Sequence, residues 1–307
     1  SFTFVATVEA IIESGATPVC SEIDATLNMS VDDVLPLISD RTKAIIAVHM
    51  LGNPAEVRRL REVCDRESIY LVEDVAWGLG GILENAKLGS FGHMAAFSFD
   101  HAKALTTGEG GMVVSGDPEL SGRARAWHDH GHENNPEFER WEDSRSGSGF
   151  NFRMSELQGA VGVEQLKKLP LVIEGQQEFS AKTLSVLSEF AVGAPRKTLP
   201  GAQSTADATV IALSTGDEAS RLRECLGRRG IPTKILPEAL TWHFAGFWSH
   251  MPQLSIFHGD VSTETWLQSW QILRRHLAIP TSVAWSPNFE EKLKWGLQEF
   301  LGNEARL

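Results

Sequence analysis

Phe97-Ser98-Phe99-Asp100-His101-Ala102-Lys103 is followed, after Ala104-Leu105, by Thr106-Thr107-Gly108-Glu109-Gly110-Gly111. The first run reads as a short apolar strand that ends near Phe99, with a lysine just beyond it. The glycines permit the positive φ and the close backbone approach that a sharp reversal into Met112-Val113-Val114 needs. Leu71-Val72-Glu73-Asp74 has the same character, an apolar run that closes on a carboxylate 29 positions before Lys103 (103 − 74). An amine and a carboxylate are thus expected at the ends of two strands.

Outward from these two stretches the pattern repeats. Lys43 to Val48 reads as a buried strand, and Ala55 to Arg66 carries Val57, Leu60, Val63 and Cys64 at helical spacing. Ile69–Val72, Ala95–Phe99 and Met112–Val114 are further strands. This alternation predicts an α/β fold with a mostly parallel sheet and flanking helices. Such sheets gather their functional groups at the carboxyl ends of the strands. Residues 133–149 are polar and end in glycine and serine, so a long exposed loop is expected. A helix is expected from about Met154 to Leu169, with Leu157, Ala160, Val161, Val163 and Leu166 as its apolar stripe. Strands at 208–213 and 233–235, with a helix at 217–230 between them, predict a smaller α/β unit. The division expected is a large domain over 1–165 and a small C-terminal domain over 166–307.

Composition narrows the function classes. A chain of 307 residues with 42% hydrophobic and 22% charged residues is ordinary for a globular protein. A formal charge of −12 argues against a nucleic-acid partner. No apolar run is long enough to span a bilayer. Cys20, Cys64 and Cys225 are scattered, which predicts reduced thiols in a cytoplasmic protein. Five of the nine tryptophans lie between Trp242 and Trp285. They are expected in core and interface packing, or in part around a polyhydroxylated ligand. His128, His130 and His132 alternate, but no cysteine or glutamate at metal spacing accompanies them, so no metal site is expected.

A strand-end amine, a strand-end carboxylate and a glycine turn are the parts needed to hold pyridoxal 5'-phosphate. The lysine would form the imine, and the carboxylate would keep the pyridine nitrogen protonated. The ordered series Ser1-Phe2-Thr3-Phe4-Val5-Ala6-Thr7, Gly15-Ala16-Thr17-Pro18-Val19, Arg41-Thr42-Lys43-Ala44-Ile45, Val48-His49, Glu73-Asp74, Phe97-Ser98-Phe99, Lys103, Thr107-Gly108-Glu109-Gly110-Gly111, His130-Gly131 and Gly149 to Leu157 resembles the DegT/DnrJ/EryC1/StrS sugar aminotransferases, pyridoxal-phosphate enzymes of fold type I. The resemblance is dense over 1–170 and weak beyond.

By that resemblance Lys103 carries the cofactor and later moves the proton, and Asp74 pairs with the pyridine nitrogen. Ser98 donates to the phosphate, and Phe4 stacks on the ring. Asn151 and Arg153 reach the site of the neighbouring subunit of a homodimer. The implied substrates are an amino-acid donor, glutamate above all, and a keto sugar, either nucleotide-linked or an eight-carbon acid sugar of lipopolysaccharide with Arg145 and Arg153 as partners for its carboxylate. The implied setting is bacterial polysaccharide or natural-product biosynthesis. Two departures stand out. The family's front segment, with its phosphate-binding Gly-Thr or Gly-Ser turn, does not precede Phe4. Trp77 stands where the family carries glutamine or histidine near the cofactor's phenolic oxygen; its indole can donate to that oxygen or face the core. The alternatives are a sugar dehydratase of the same family, against which Lys103 argues because those carry histidine there, and a non-catalytic fragment or relative.

Overall fold

The computed structural model describes residues 1–302. Helix α1 (Val5–Glu13) follows Phe4, and the short α2 (Val31–Val34) is capped by the Ser30 side chain, which accepts from the Asp33 N–H. Strand β1 (Ala44–Val48) leads to α3 (Val57–Glu67), whose Val57, Leu60, Val63 and Cys64 are buried as their spacing predicts. The helix stops at Ser68 in the left-handed region, φ 54°. Next come β2 (Tyr70–Asp74), the hairpin β3 (Ile82–Leu83) and β4 (Ala86–Lys87), β5 (Met94–Ser98) and β6 (Gly111–Val114). Helix α4 (Pro118–Trp127) is capped by Asp117, and α5 (Glu156–Glu189) opens with a capping box between Ser155 and Gln158.

Beyond α5 lie β7 (Ala194–Pro195), β8 (Ala202–Gln203), β9 (Ala208–Ala212), α6 (Gly216–Arg228), α7 (Leu240–His243), α8 (Pro252–His258), α9 (Leu267–Leu273), β10 (His276–Pro280) and α10 (Pro287–Phe300).

The principal sheet has the order β1-β2-β5-β6. Strands β1, β2 and β5 are parallel, and β6 returns antiparallel. Asp74 pairs with Val48, the last residue of β1, on one side and with Ala96 on the other, where β5 runs two residues further to Ser98. The order β10-β9-β7 forms a separate antiparallel sheet, against which α6 and α10 pack through Leu222, Leu226, Leu293 and Leu297. This is the expected α/β architecture.

Two expectations need correction. Helix α5 does not stop near Leu169. It runs on through Pro170 to Glu189, across the 165/166 boundary, because Ile173, Phe179, Val186 and Leu187 continue the helical spacing and are buried. Their packing outweighs the hydrogen bond that proline deletes. The stripe Leu157, Val161, Val163 and Leu166 is exposed, Leu157 to 82%. Residues 233–235 do not form a regular strand either. Lys234 donates to the Ala278 carbonyl at 2.7 Å and Leu236 accepts from the Ala278 N–H at 3.1 Å, but Ile235 between them takes φ 63°, outside the extended range of a strand.

The largest core joins the N-terminus to the tryptophan-rich region. Phe2, Val5 and Val8 meet Phe244, Trp248, Leu254 and Trp266. Trp248 and Trp266 are core residues, whereas Trp242 is 63% exposed. No helix of the described residues is long and apolar enough to cross a membrane. Trp248 is buried and donates its indole N–H to the Thr241 carbonyl at 3.0 Å. Trp248→Ala is expected to cost about 3–5 kcal/mol, read as a lowered urea midpoint at unchanged slope.

Candidate active site

The carboxyl edge of the sheet carries the candidate groups. Beyond β5 the chain makes one turn, Lys103 N–H to the Asp100 carbonyl at 3.0 Å, and returns when Thr107 N–H reaches Phe99. Gly110 completes the reversal at φ 154°; a side chain there would press on Thr107 Oγ1. Lys103 is partly buried in a cavity lined by Ala76, Trp77, Leu79, Ser98, Ala104, Leu105 and Asp207. Its Nζ stands 4.1 Å from the centre of the Trp77 ring, a cation–π contact. Among the described residues it makes no ion pair within bonding distance. Burial holds the ammonium below its usual range; Asp207 opposes that shift and Lys234 adds to it.

Asp74 is oriented on both sides. Its Oδ2 accepts from Thr7 Oγ1 at 2.8 Å and its Oδ1 from the Ala76 N–H at 3.1 Å. Thr7 is in turn 2.8 Å from Thr3 Oγ1. Beneath Asp74 lies a buried knot. Glu73 accepts from the N–H groups of Gly89, Phe91 and Gly92 at 2.9, 2.7 and 2.6 Å, and its Oε2 is 3.1 Å from His49 Nε2. His49 Nδ1 accepts from Ala55 N–H, which leaves Nε2 as the donor. Burial acts to raise the Glu73 carboxyl, but these donors outweigh it and hold the group below its usual range.

Ser98 ends β5 in the same cavity, where its Oγ accepts from the Asp100 N–H and its own O–H can donate elsewhere. Phe4 is not core: its ring is 41% exposed and 5.4 Å from the His243 ring. The Trp77 ring lies 5.9 Å from the same histidine. His243 is buried, its Nδ1 on the Ala239 carbonyl; burial, opposed by that bond, lowers its pKa and favours the neutral ring.

Asn151 and Arg153 lie elsewhere. Asn151 bridges to Asp129, and Arg153 reaches Asp129 at 2.5 Å, where Arg140 also binds. Neither lines the Lys103 cavity. Of the histidine triplet, His132 is 3.3 Å from Asp143 while His128 bonds the Arg125 carbonyl, so the rings serve separate partners. Among the described residues the one grouping at metal-ligand spacing is Asp100, His101 and Glu109, and its last two members are exposed.

Sequence reasoning missed Asp207, Lys234 and the exact place of His243. Both lysine and aspartate come from beyond residue 200: tertiary folding brings Asp207 to the cavity wall and Lys234 onto Asp207. His243 was conspicuous among the aromatics of Trp242 to Trp248, but nothing local aims it at Phe4.

These features define an α/β protein with a partly buried amine and an oriented carboxylate at one sheet edge. The family model of the DegT/DnrJ/EryC1/StrS aminotransferases matches residues 1–288, and the chain belongs to that family. Its enzymes depend on pyridoxal 5'-phosphate. The chain is 36% identical over 181 residues to GDP-perosamine synthase of Vibrio cholerae, an alignment of 59% of this chain and 48% of that protein. It is 37% identical over 197 residues to dTDP-4-dehydro-2,3,6-trideoxy-D-glucose 4-aminotransferase of Saccharopolyspora spinosa, 62% of this chain and 51% of that one. The chain thus spans about half the length of the curated relatives it matches. Helicobacter pylori PseC, an aminotransferase involved in the biosynthesis of pseudoaminic acid, superposes with a TM-score of 0.84 at 25% identity, over 98% of this chain and 78% of that one.

The Asp129 cluster yields a pH prediction. Its hydrogen bonds with Arg140 and Arg153 hold the carboxyl well below the usual carboxylate range in the folded protein. A depressed folded pKa contributes stability that is present above the unfolded value near 4 and is lost as pH falls. Asp129→Asn should lower the urea midpoint at pH 7, and the two proteins should converge between about pH 5 and pH 2.

Proposed function

We propose that the chain is a pyridoxal-phosphate-dependent aminotransferase that moves an amino group from an amino acid, glutamate being the expected donor, to a keto sugar. The observation that carries this reading is the Lys103 amine, partly buried, without an ion pair, at the sheet edge that also presents Asp74. The residues fit the cofactor at its two reactive ends. Lys103 offers an amine for its aldehyde, and Asp74 offers a fixed carboxylate for its ring nitrogen. The cofactor would supply an electron sink that stabilises negative charge at the substrate carbon.

The chain's own groups would do the rest. Burial keeps the Lys103 amine ready to lose its proton, so it can take a proton from the substrate carbon and return it elsewhere. Thr7 and Ala76 hold the Asp74 carboxylate in one orientation, which lets it retain a proton at the ring nitrogen. Ser98 would donate its hydroxyl to the phosphate. Phe4, His243 and Trp77 form a run of neighbouring rings that reaches Lys103 through Trp77 and would help exclude water from it. Trp77 has one N–H to offer the phenolic oxygen.

The relatives' names favour a nucleotide-linked keto sugar. An acidic sugar of lipopolysaccharide is supported less, because Arg153 already binds Asp129. We further propose a cytoplasmic homodimer with shared sites and with large and small domains over 1–165 and 166–307. The three free cysteines agree with a reducing compartment. The exposed Leu157, Val161 and Leu166, with Phe150 and Phe152 nearby in sequence, form apolar surface suited to a second copy.

Incubation with pyridoxal phosphate, borohydride reduction and peptide mapping tests the reading. Labelling should fall on Lys103, vanish in Lys103→Ala, and be blocked by prior glutamate. Asp74→Ala should keep the label but slow amine transfer from glutamate by about a hundredfold or more. An unlabelled Lys103 would instead favour a relative that keeps the fold without the chemistry.

A further inference from the structure

One wall residue of the Lys103 cavity, Asp207, is bound by a second amine that the reading above leaves unused. Lys234 Nζ lies 2.5 Å from Oδ2 of Asp207, a buried carboxylate on the cavity wall. Asp207 is the residue before β9, and its carbonyl accepts from Thr281 Oγ1 at 3.0 Å. Lys234 is fixed by its N–H bond to Ala278 in β10. The carboxylate therefore acts on the charge of Lys103 across the cavity, while its direct contact is to Lys234.

The other charges facing Lys103 are already committed. Asp74, from β2, accepts from Thr7 and Ala76. Asp100, on the lysine's own loop, accepts from the Ala102 N–H and lies 2.9 Å from His101. His243, from α7, favours its neutral ring. Asp207 is thus the carboxylate whose partner decides what Lys103 meets. Without Lys234, it would turn to the remaining cation, Lys103. Such a pair would stabilise the ammonium and withdraw the lone pair that imine formation and proton transfer both need.

We propose that Lys234 is a positioning residue: by pairing with Asp207 it keeps that carboxylate from closing on Lys103 and leaves the Lys103 amine free to act as nucleophile and base. The inference rests on the reading of Lys103 as the reactive amine. It goes beyond that reading by assigning work to two residues outside the resemblance.

The test uses the full chain without cofactor. Trace acetylation by acetic anhydride across a pH series, read at the Lys103 peptide by mass spectrometry, gives the titration midpoint of that amine. Lys234→Met should move the midpoint upward by about one pH unit or more, and Lys234→Arg should leave it near the parent value. Asp207→Asn should move it downward. The deciding comparison is Lys234→Met in the Asp207→Asn background, where the upward shift should largely disappear because no carboxylate is left to release. An equal shift in both backgrounds would mean simple charge repulsion and overturn the proposal, as would no shift in either. If Lys234→Met does not fold by circular dichroism, Asp207→Asn decides, since an unchanged midpoint there removes the carboxylate from the account. Borohydride trapping of pyridoxal phosphate on the parent protein is judged separately. A Lys103 that titrates as described but never traps the cofactor sinks the aminotransferase reading and leaves the pairing intact.

Discussion

Three parallel strands must stay in register for this site to exist, and one buried carboxylate ties them. Glu73 takes three backbone N–H groups from the 89–92 turn that leads into β5, and it takes the His49 ring from the end of β1. His49 in turn donates its own backbone N–H to the carbonyl of Asp74. Asp74 is therefore gripped from below and from the side before any ligand is considered. The knot is well satisfied, which is the condition under which a buried charge can be kept at all. Deleting one partner would orphan several donors at once, so its parts are expected to behave as a unit.

From that knot upward the site is built by graded exposure. Glu73 and His49 are fully buried, Asp74 and Lys103 are partly so, and Phe4 is exposed. Charge follows the same gradient. The deepest carboxylate accepts four hydrogen bonds, the next is oriented by two, and among the described residues the amine's direct contact is an aromatic face. A group left less satisfied than its neighbours is the one free to react.

Much of this was legible from local pattern. The strands at β1, β2 and β5 announced themselves by apolar runs, and the lysine and aspartate by their places at strand ends. Helix α3 was plain from Val57, Leu60, Val63 and Cys64. Its spacing and its burial agree because one face meets a sheet. Helix α5 was harder. Proline is a stop signal in isolation, and the burial that overrides Pro170 depends on Phe179 meeting Trp285 and Phe289, which lie a hundred residues on. The same limit hid Asp207 and Lys234. Neither sits in a distinctive local pattern, and their meaning arises only when β9 and β10 bring Asp207 to a cavity made by residues 76–105 and Lys234 onto Asp207. Arg153 was read for its fork of donors, and one of those N–H groups binds Asp129 within the same chain.

The two halves of α5 deserve to be set apart in time as well as in space. Residues up to about 168 turn apolar side chains to solvent, while Leu169, Ile173, Phe179, Val186 and Leu187 are buried. Pro170 stands at the junction and contributes no N–H, so the ladder of amides is interrupted where the environment changes. One helix is thereby divided into two exchange regimes. Amides of the first half should trade their hydrogens through local fraying, and those of the second only through openings that breach the core. A hydrogen-exchange map of this single element would then read occupancy of the outer face and integrity of the interior as separate clocks.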